Sequence, residues 1–241
     1  MESKSTNFFS DFEEIKSEDV KTEKAVFEIF KKEDWNVIVP RILDNINKNG
    51  NNDEYPYFNA QKGTQYLPNL NVPSEILTKD MLKELHSKLP YYHQFTSWTR
   101  VYTISIHGCD MKTFYEKVKN INNSLLVVKD EEGNIFGGYA SEELLPSANF
   151  YGTGECFLFT FFKGEKKIHV YNSTNENDFY LFGDNNQICF GCSDDNFALC
   201  IRDNLLNGYS KSTLTYNNLP LNGKNEKFLV VKLEVWKFGE S

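Results

Sequence analysis

The chain has 241 residues and is 40% hydrophobic, enough to bury one good core. Its formal charge of −8 excludes bulk electrostatic attraction to nucleic acid or anionic lipid as the basis of its action, so direct nucleic-acid binding is not expected. With 15% aromatic residues the composition leans toward strands.

Residues 1–20 are polar and acidic and read as a disordered start with no apolar signal region. Ser17 to Lys32 can form a helix with Val20, Ala25, Val26, Phe27, Ile29 and Phe30 on its apolar side. A second short helix is expected between Trp35 and Ile46, and the run from Asn47 to Asp53 is a loop. The main boundary is placed near Asn69. It separates an acidic, partly helical or disordered segment (1–69) from a folded domain (70–241).

Within the domain a helix is expected from Thr78 to Lys88, with Met81, Leu82, Leu85 and Leu89 at helical spacing and Pro90 as its stop. Val101 to Ile106 alternates as a strand, and Met111 to Val118 is a second helix. From residue 120 onward the pattern is β. Leu125–Val128 and Ile135–Ala140 flank the turn at Asp130-Glu131-Glu132-Gly133-Asn134. Cys156–Phe162 pairs with Lys167–Tyr171, and Phe179–Phe182 with Gln187–Phe190. Phe197–Ile201 adds a strand, and Phe228–Phe238 closes the chain. Short turns between many strands predict a mainly β domain: two antiparallel sheets packed as a sandwich, with short helices on its N-terminal side.

No apolar run approaches the ~20 residues of a membrane-spanning helix. Five cysteines without a secretory signal read as reduced thiols, in keeping with a cytoplasmic chain that can also enter the nucleus. Gly152-Thr153-Gly154-Glu155 is followed by a strand instead of the helix that a phosphate loop requires, so no cofactor is expected there. Cys189 and Cys192 form a C-x-x-C pair without a second ligand pair at zinc spacing, so no metal is expected either. They remain redox thiols to consider, against the reading of buried structural cysteines. The four histidines show no ligand or triad spacing. Glu142, Glu155 and Glu234 are the carboxylates considered for acid–base work, against roles in turns or ion pairs.

Several segments resemble one family. Leu125 to Glu142, with its Asp130–Asn134 turn and Gly137-Gly138-Tyr139, is similar to the central signature of the TLDc family. Phe150-Tyr151-Gly152-Thr153-Gly154-Glu155 running into Cys156–Phe161 resembles the next motif. Leu233-Glu234-Val235-Trp236-Lys237-Phe238 resembles the terminal strand, and Leu82 to Pro90 followed by Trp98 and Tyr102 resembles the opening. The resemblance covers about residues 70–241. It implies a two-sheet sandwich, a link to oxidative-damage resistance and, as in several members, binding to the vacuolar proton-pumping ATPase, with no established catalytic mechanism.

The sequence departs from the family at Phe190–Leu199, where many members carry a glycine string before His-Phe-Gly-Leu. It departs again at Leu206-Asn207-Gly208-Tyr209-Ser210, where the family has Asn-His-Gly-Arg-Ser. Asp194, Asp195, Asn207 and Tyr209 are therefore the residues expected to set partner specificity. The leading expectation is a non-catalytic interaction module linked to oxidative stress. The alternatives are an enzyme or direct redox protein using Glu142/Glu155 or Cys189/Cys192, and a regulator of gene expression through protein contacts.

Overall fold

The computed structural model describes residues 67–163, 167–223 and 226–239. The helices expected over 17–32 and 35–46, and residues 164–166 between the strands expected at Cys156–Phe162 and Lys167–Tyr171, lie outside the described residues. α1 (Lys79–His86) opens the domain, with the Thr78 hydroxyl accepting from the Met81 N–H. Such a cap contributes about 1 kcal/mol. A 3₁₀ turn (Tyr91–Phe95) leads into β1 (Trp98–Thr103), the short α2 (Ile104–His107) and α3 (Met111–Val118). The strand expected over Val101–Ile106 thus starts earlier and stops sooner. Thr103 ends it, because its Oγ accepts from the Ser105 N–H and caps a helical turn.

The remaining strands are β2 (Ser124–Asp130), β3 (Ile135–Ala140), β4 (Phe157–Phe161), β5 (His169–Asn172), β6 (Leu181–Gly183), β7 (Gln187–Ser193), β8 (Asn196–Arg202), β9 (Asn207–Tyr209) and β10 (Lys227–Phe238). The path runs β5-β4-β3-β2-β10-β9-β8-β7-β6, with β1 also on β10. Pairings among these strands are antiparallel.

β10 belongs to both sheets. Lys227, Phe228 and Leu229 pair with β9, while Val230 onward pairs with β2 and Glu234 onward also with β1. A register shift between Val230 and Lys232 marks the bulge where the strand passes from one sheet to the other.

The two sheets face each other across one core. Leu126, Val128, Phe136 and Leu158 from the first meet Ile188, Phe190, Leu199 and Ile201 from the second. The approach is tight at Gly138, where a Cβ would lie 2.7 Å from the Phe190 ring. The alternate residues of β2, Leu125 and Val127, face the other way. They join Leu82, Leu85, Trp98, Phe159 and Trp236 in a second core. α1 therefore covers the outer face of the first sheet, which explains why β2 is apolar on both sides.

Candidate functional site

Glu234 lies in the middle of β10 with its side chain fully buried. Its Oε1 accepts from Arg100 Nη1 at 2.8 Å and from the Glu75 N–H at 2.8 Å. Its Oε2 accepts from the Ser74 hydroxyl at 2.6 Å and from Trp236 Nε1 at 3.1 Å. These donors satisfy the carboxylate and tie the 74–75 loop and β1 to the terminal strand. Glu75 extends the network. It pairs with Arg100 and Lys232 and accepts from the Ser105 hydroxyl, which holds its carboxyl below the usual range despite a desolvation effect in the other direction. A carboxylate saturated by donors, with no described route to solvent, anchors structure.

Glu155 sits at the other extreme. It is exposed in the turn just before β4 and accepts from the Tyr92 hydroxyl at 3.2 Å. Behind it runs a chain of polar groups, leading from the surface to the buried Tyr139 and His93, that the sequence does not reveal. The Tyr92 and Tyr139 hydroxyls are 3.3 Å apart, Tyr139 donates to Asn123 Oδ1 at 2.8 Å, and His93 Nε2 lies 3.1 Å from the Tyr139 oxygen. Because Tyr139 spends its single proton on Asn123, His93 Nε2 supplies the proton of their shared bond. Burial depresses the His93 pKa to about 4, so the ring is neutral at pH 7. Burial also raises the Tyr139 pKa. The cluster joins the 3₁₀ turn to β3.

Glu142 is exposed just past β3. Its neighbour Ser141 lies 3.2 Å from Cys156 Sγ and accepts from the Thr153 N–H at 3.0 Å. This fixes the Gly152–Glu155 turn against the end of β3, and burial raises the Cys156 thiol pKa. No hydrogen bond joins Glu142 to Glu155 among those described. A groove of about 460 Å³ between α3 and the loop after β3 is lined by Lys112, Tyr115, Lys119, Leu144 and Pro146, and by neither of these two carboxylates.

The cysteines are arranged differently from their spacing in sequence. Cys189 on β7 faces Cys200 on β8 as its register partner, with the sulfurs 3.0 Å apart and both residues fully buried. Cys192 is opposite Phe197 and only partly buried. Burial raises the Cys189 pKa well above the ordinary thiol value. Among the described residues no group of three or more His, Cys, Asp or Glu could hold a metal ion.

Asp194 and Asp195 form the two-residue β7–β8 turn, with φ of 48° and 58°. Positive φ at both positions is the primed hairpin geometry that aspartate tolerates. Asn207 and Tyr209 belong to β9, which follows the turn at the far end of β8. A seven-residue strand spans roughly 20 Å, so these two departures do not form one loop. Arg202 lies over the Tyr209 ring, 5.5 Å from its centroid.

The family model described as TLDc domain matches residues 70–239. Oxidation resistance protein 1 of Homo sapiens is 38% identical over 174 residues, covering 72% of this chain and 20% of the human protein. The protein of the same name from Kluyveromyces lactis is 31% identical over 194 residues, 69% of this chain and 76% of its own length. Nuclear receptor coactivator 7 of Homo sapiens is 35% identical over 175 residues, 72% of this chain and 18% of that protein. The chain spans about a fifth of the length of the animal relatives it matches. With the two-sheet core, the shared β10 and the family model all covering the same region, the chain belongs to the TLDc domain family.

Proposed function

We propose that this chain protects against oxidative damage as a protein-interaction module, and that its partner is the vacuolar proton-pumping ATPase. The observation that carries the reading is the family match over 70–239, together with relatives named oxidation resistance protein 1. The described surface supports binding over chemistry: Glu142 and Glu155 are exposed, and Glu234 is consumed by its four donors.

A partner surface is available at the seam between the sheets. Leu206, Leu229 and Val231 are 45%, 54% and 51% exposed, and the Val230 N–H bonds the Leu206 carbonyl between them. Val231 is the bulge residue, so its side chain leaves the ladder at that point. Exposed apolar residues on strands tied together by backbone hydrogen bonds offer a partner an apolar surface to bury.

The test is affinity capture of the tagged full-length chain from native cytosol, read by mass spectrometry, beside peroxide survival of cells lacking the protein. Recovery of pump subunits together with peroxide sensitivity supports the reading. Normal survival removes the stress role, and capture without pump subunits removes that partner.

A further inference from the structure

We propose that Cys189 and Cys200 form a redox-modification site, a thiol pair that a hydroperoxide converts into a disulfide bridging β7 and β8. Directly opposed residues of an antiparallel pair have Cα atoms about 4.5–5.5 Å apart, within the roughly 4.4–6.8 Å that a disulfide spans. The sulfurs are already 3.0 Å apart. The remaining distance to a bond is about 1 Å, and the two residues are already register partners. Cys192 has no such partner, because it faces Phe197. Three residues along a strand also put Cys192 on the opposite side from Cys189.

The chemistry balances with the peroxide as oxidant. One thiolate sulfur attacks a peroxide oxygen, the O–O bond breaks, and the alcohol leaves (water, when the oxidant is hydrogen peroxide). The attacking cysteine is then a sulfenic acid, and the proton its thiol gave up leaves with the alcohol. The second sulfur displaces its hydroxyl, which departs as water with the second thiol's proton. The two thiols together lose two electrons, and the peroxide gains them.

Burial sets the rate of this site. The pair lies in a row with Tyr209, the register partner of Cys200, and the Arg202 guanidinium caps the Tyr209 ring. A desolvated thiol carries little thiolate, so the first step is slow and the reduced pair is the resting state. Once formed, the disulfide is shielded in the same way from attack by external thiols. The site therefore records sustained peroxide exposure and does not follow brief pulses.

The experiment treats the full-length chain with hydrogen peroxide at amounts that leave its circular dichroism unchanged. Free thiols are then alkylated in denaturant, and the chain is cut with chymotrypsin. Cleavage after Phe190 and Phe197 separates Cys189, Cys192 and Cys200, and mass spectrometry reads which peptides are joined. The expected result is a Cys189–Cys200 linked peptide, with loss of both alkylatable thiols in equal amounts, and an unchanged yield in Cys192→Ser. Joining of Cys189 to Cys192 overturns the proposal. So does oxidation of Cys109 or Cys192 while Cys189 and Cys200 remain alkylated.

Discussion

Arg100 on β1 and Glu234 on β10 meet at 2.8 Å, with the glutamate side chain wholly buried and the arginine side chain 10% exposed. A buried ion pair contributes little net stability when intact, but removing one partner leaves an uncompensated charge in a low-dielectric site. Arg100→Ala is therefore expected to destabilise the domain by about 3–5 kcal/mol, measured by urea unfolding at pH 7. Glu234→Gln, which keeps the shape and removes the charge, should cost less. A loss under about 1 kcal/mol for Arg100→Ala would show that the remaining donors hold the carboxylate unaided.

Gly138 leaves room for the Phe190 ring of the facing sheet. A Cβ there would lie 2.7 Å from one Phe190 ring carbon and 3.1 Å from Leu158 Cδ2. Overpacking of this kind costs about 1–3 kcal/mol. Gly138→Ala should lower the thermal midpoint, and Phe190→Leu in the same chain should recover part of the loss by making room. Full additivity of the two losses would mean that the methyl and the ring do not compete for space.

The parts of the fold legible in the sequence are those fixed by local chemistry. The β2–β3 hairpin follows from the Asp130–Asn134 turn, where the buried Asp130 carboxylate accepts from the Glu132 and Asn134 N–H groups. α3 follows from its apolar spacing, and the structure adds the Asp110 cap. The end of β1 was not legible, because Val101 to Ile106 keeps alternating after Thr103 has turned the chain into a helix. The three-residue β9 is too short for any periodicity. At the site, Glu234 stood out between apolar neighbours, but its partner Arg100 is 134 positions away. The Tyr92–Tyr139–His93 cluster joins residues 46 and 47 apart, and only the folded register shows it. The thiol pair is a matter of register as well: alternation alone separates Cys189 from Cys192, but only the β7–β8 ladder supplies Cys200.

His93 gives the domain a pH dependence whose sign is fixed. Its folded pKa of about 4 lies below the ordinary histidine value of 6.5, so between these values the unfolded chain binds a proton that the folded chain does not. Stability therefore falls as pH drops from 6.5 toward 4, and the penalty is complete below the folded pKa. The loss attributable to this ring is up to about 2 kcal/mol after allowance for solvent screening. His86, also depressed by burial, acts in the same direction. Urea unfolding of wild type and His93→Gln at a series of pH values isolates the His93 contribution as the difference in slope. Parallel slopes would mean that the ring takes up its proton as readily in the fold as in the unfolded chain.

Glu155 separates surface function from scaffold. It is exposed, and its described side-chain bond runs to Tyr92, itself partly exposed at 38%. An exposed hydrogen bond of this kind contributes little to stability. Glu155→Gln retains an acceptor for Tyr92 and removes one negative charge. The unfolding midpoint should stay where it is, while recovery of the protein partner in affinity capture falls if the family motif presents this carboxylate to it. Tyr92→Phe is the companion variant, since it removes the bond and leaves the charge in place. Equal capture by wild type and Glu155→Gln would take the carboxylate out of the binding surface. A large drop in midpoint would assign it to the Tyr92–Tyr139 scaffold.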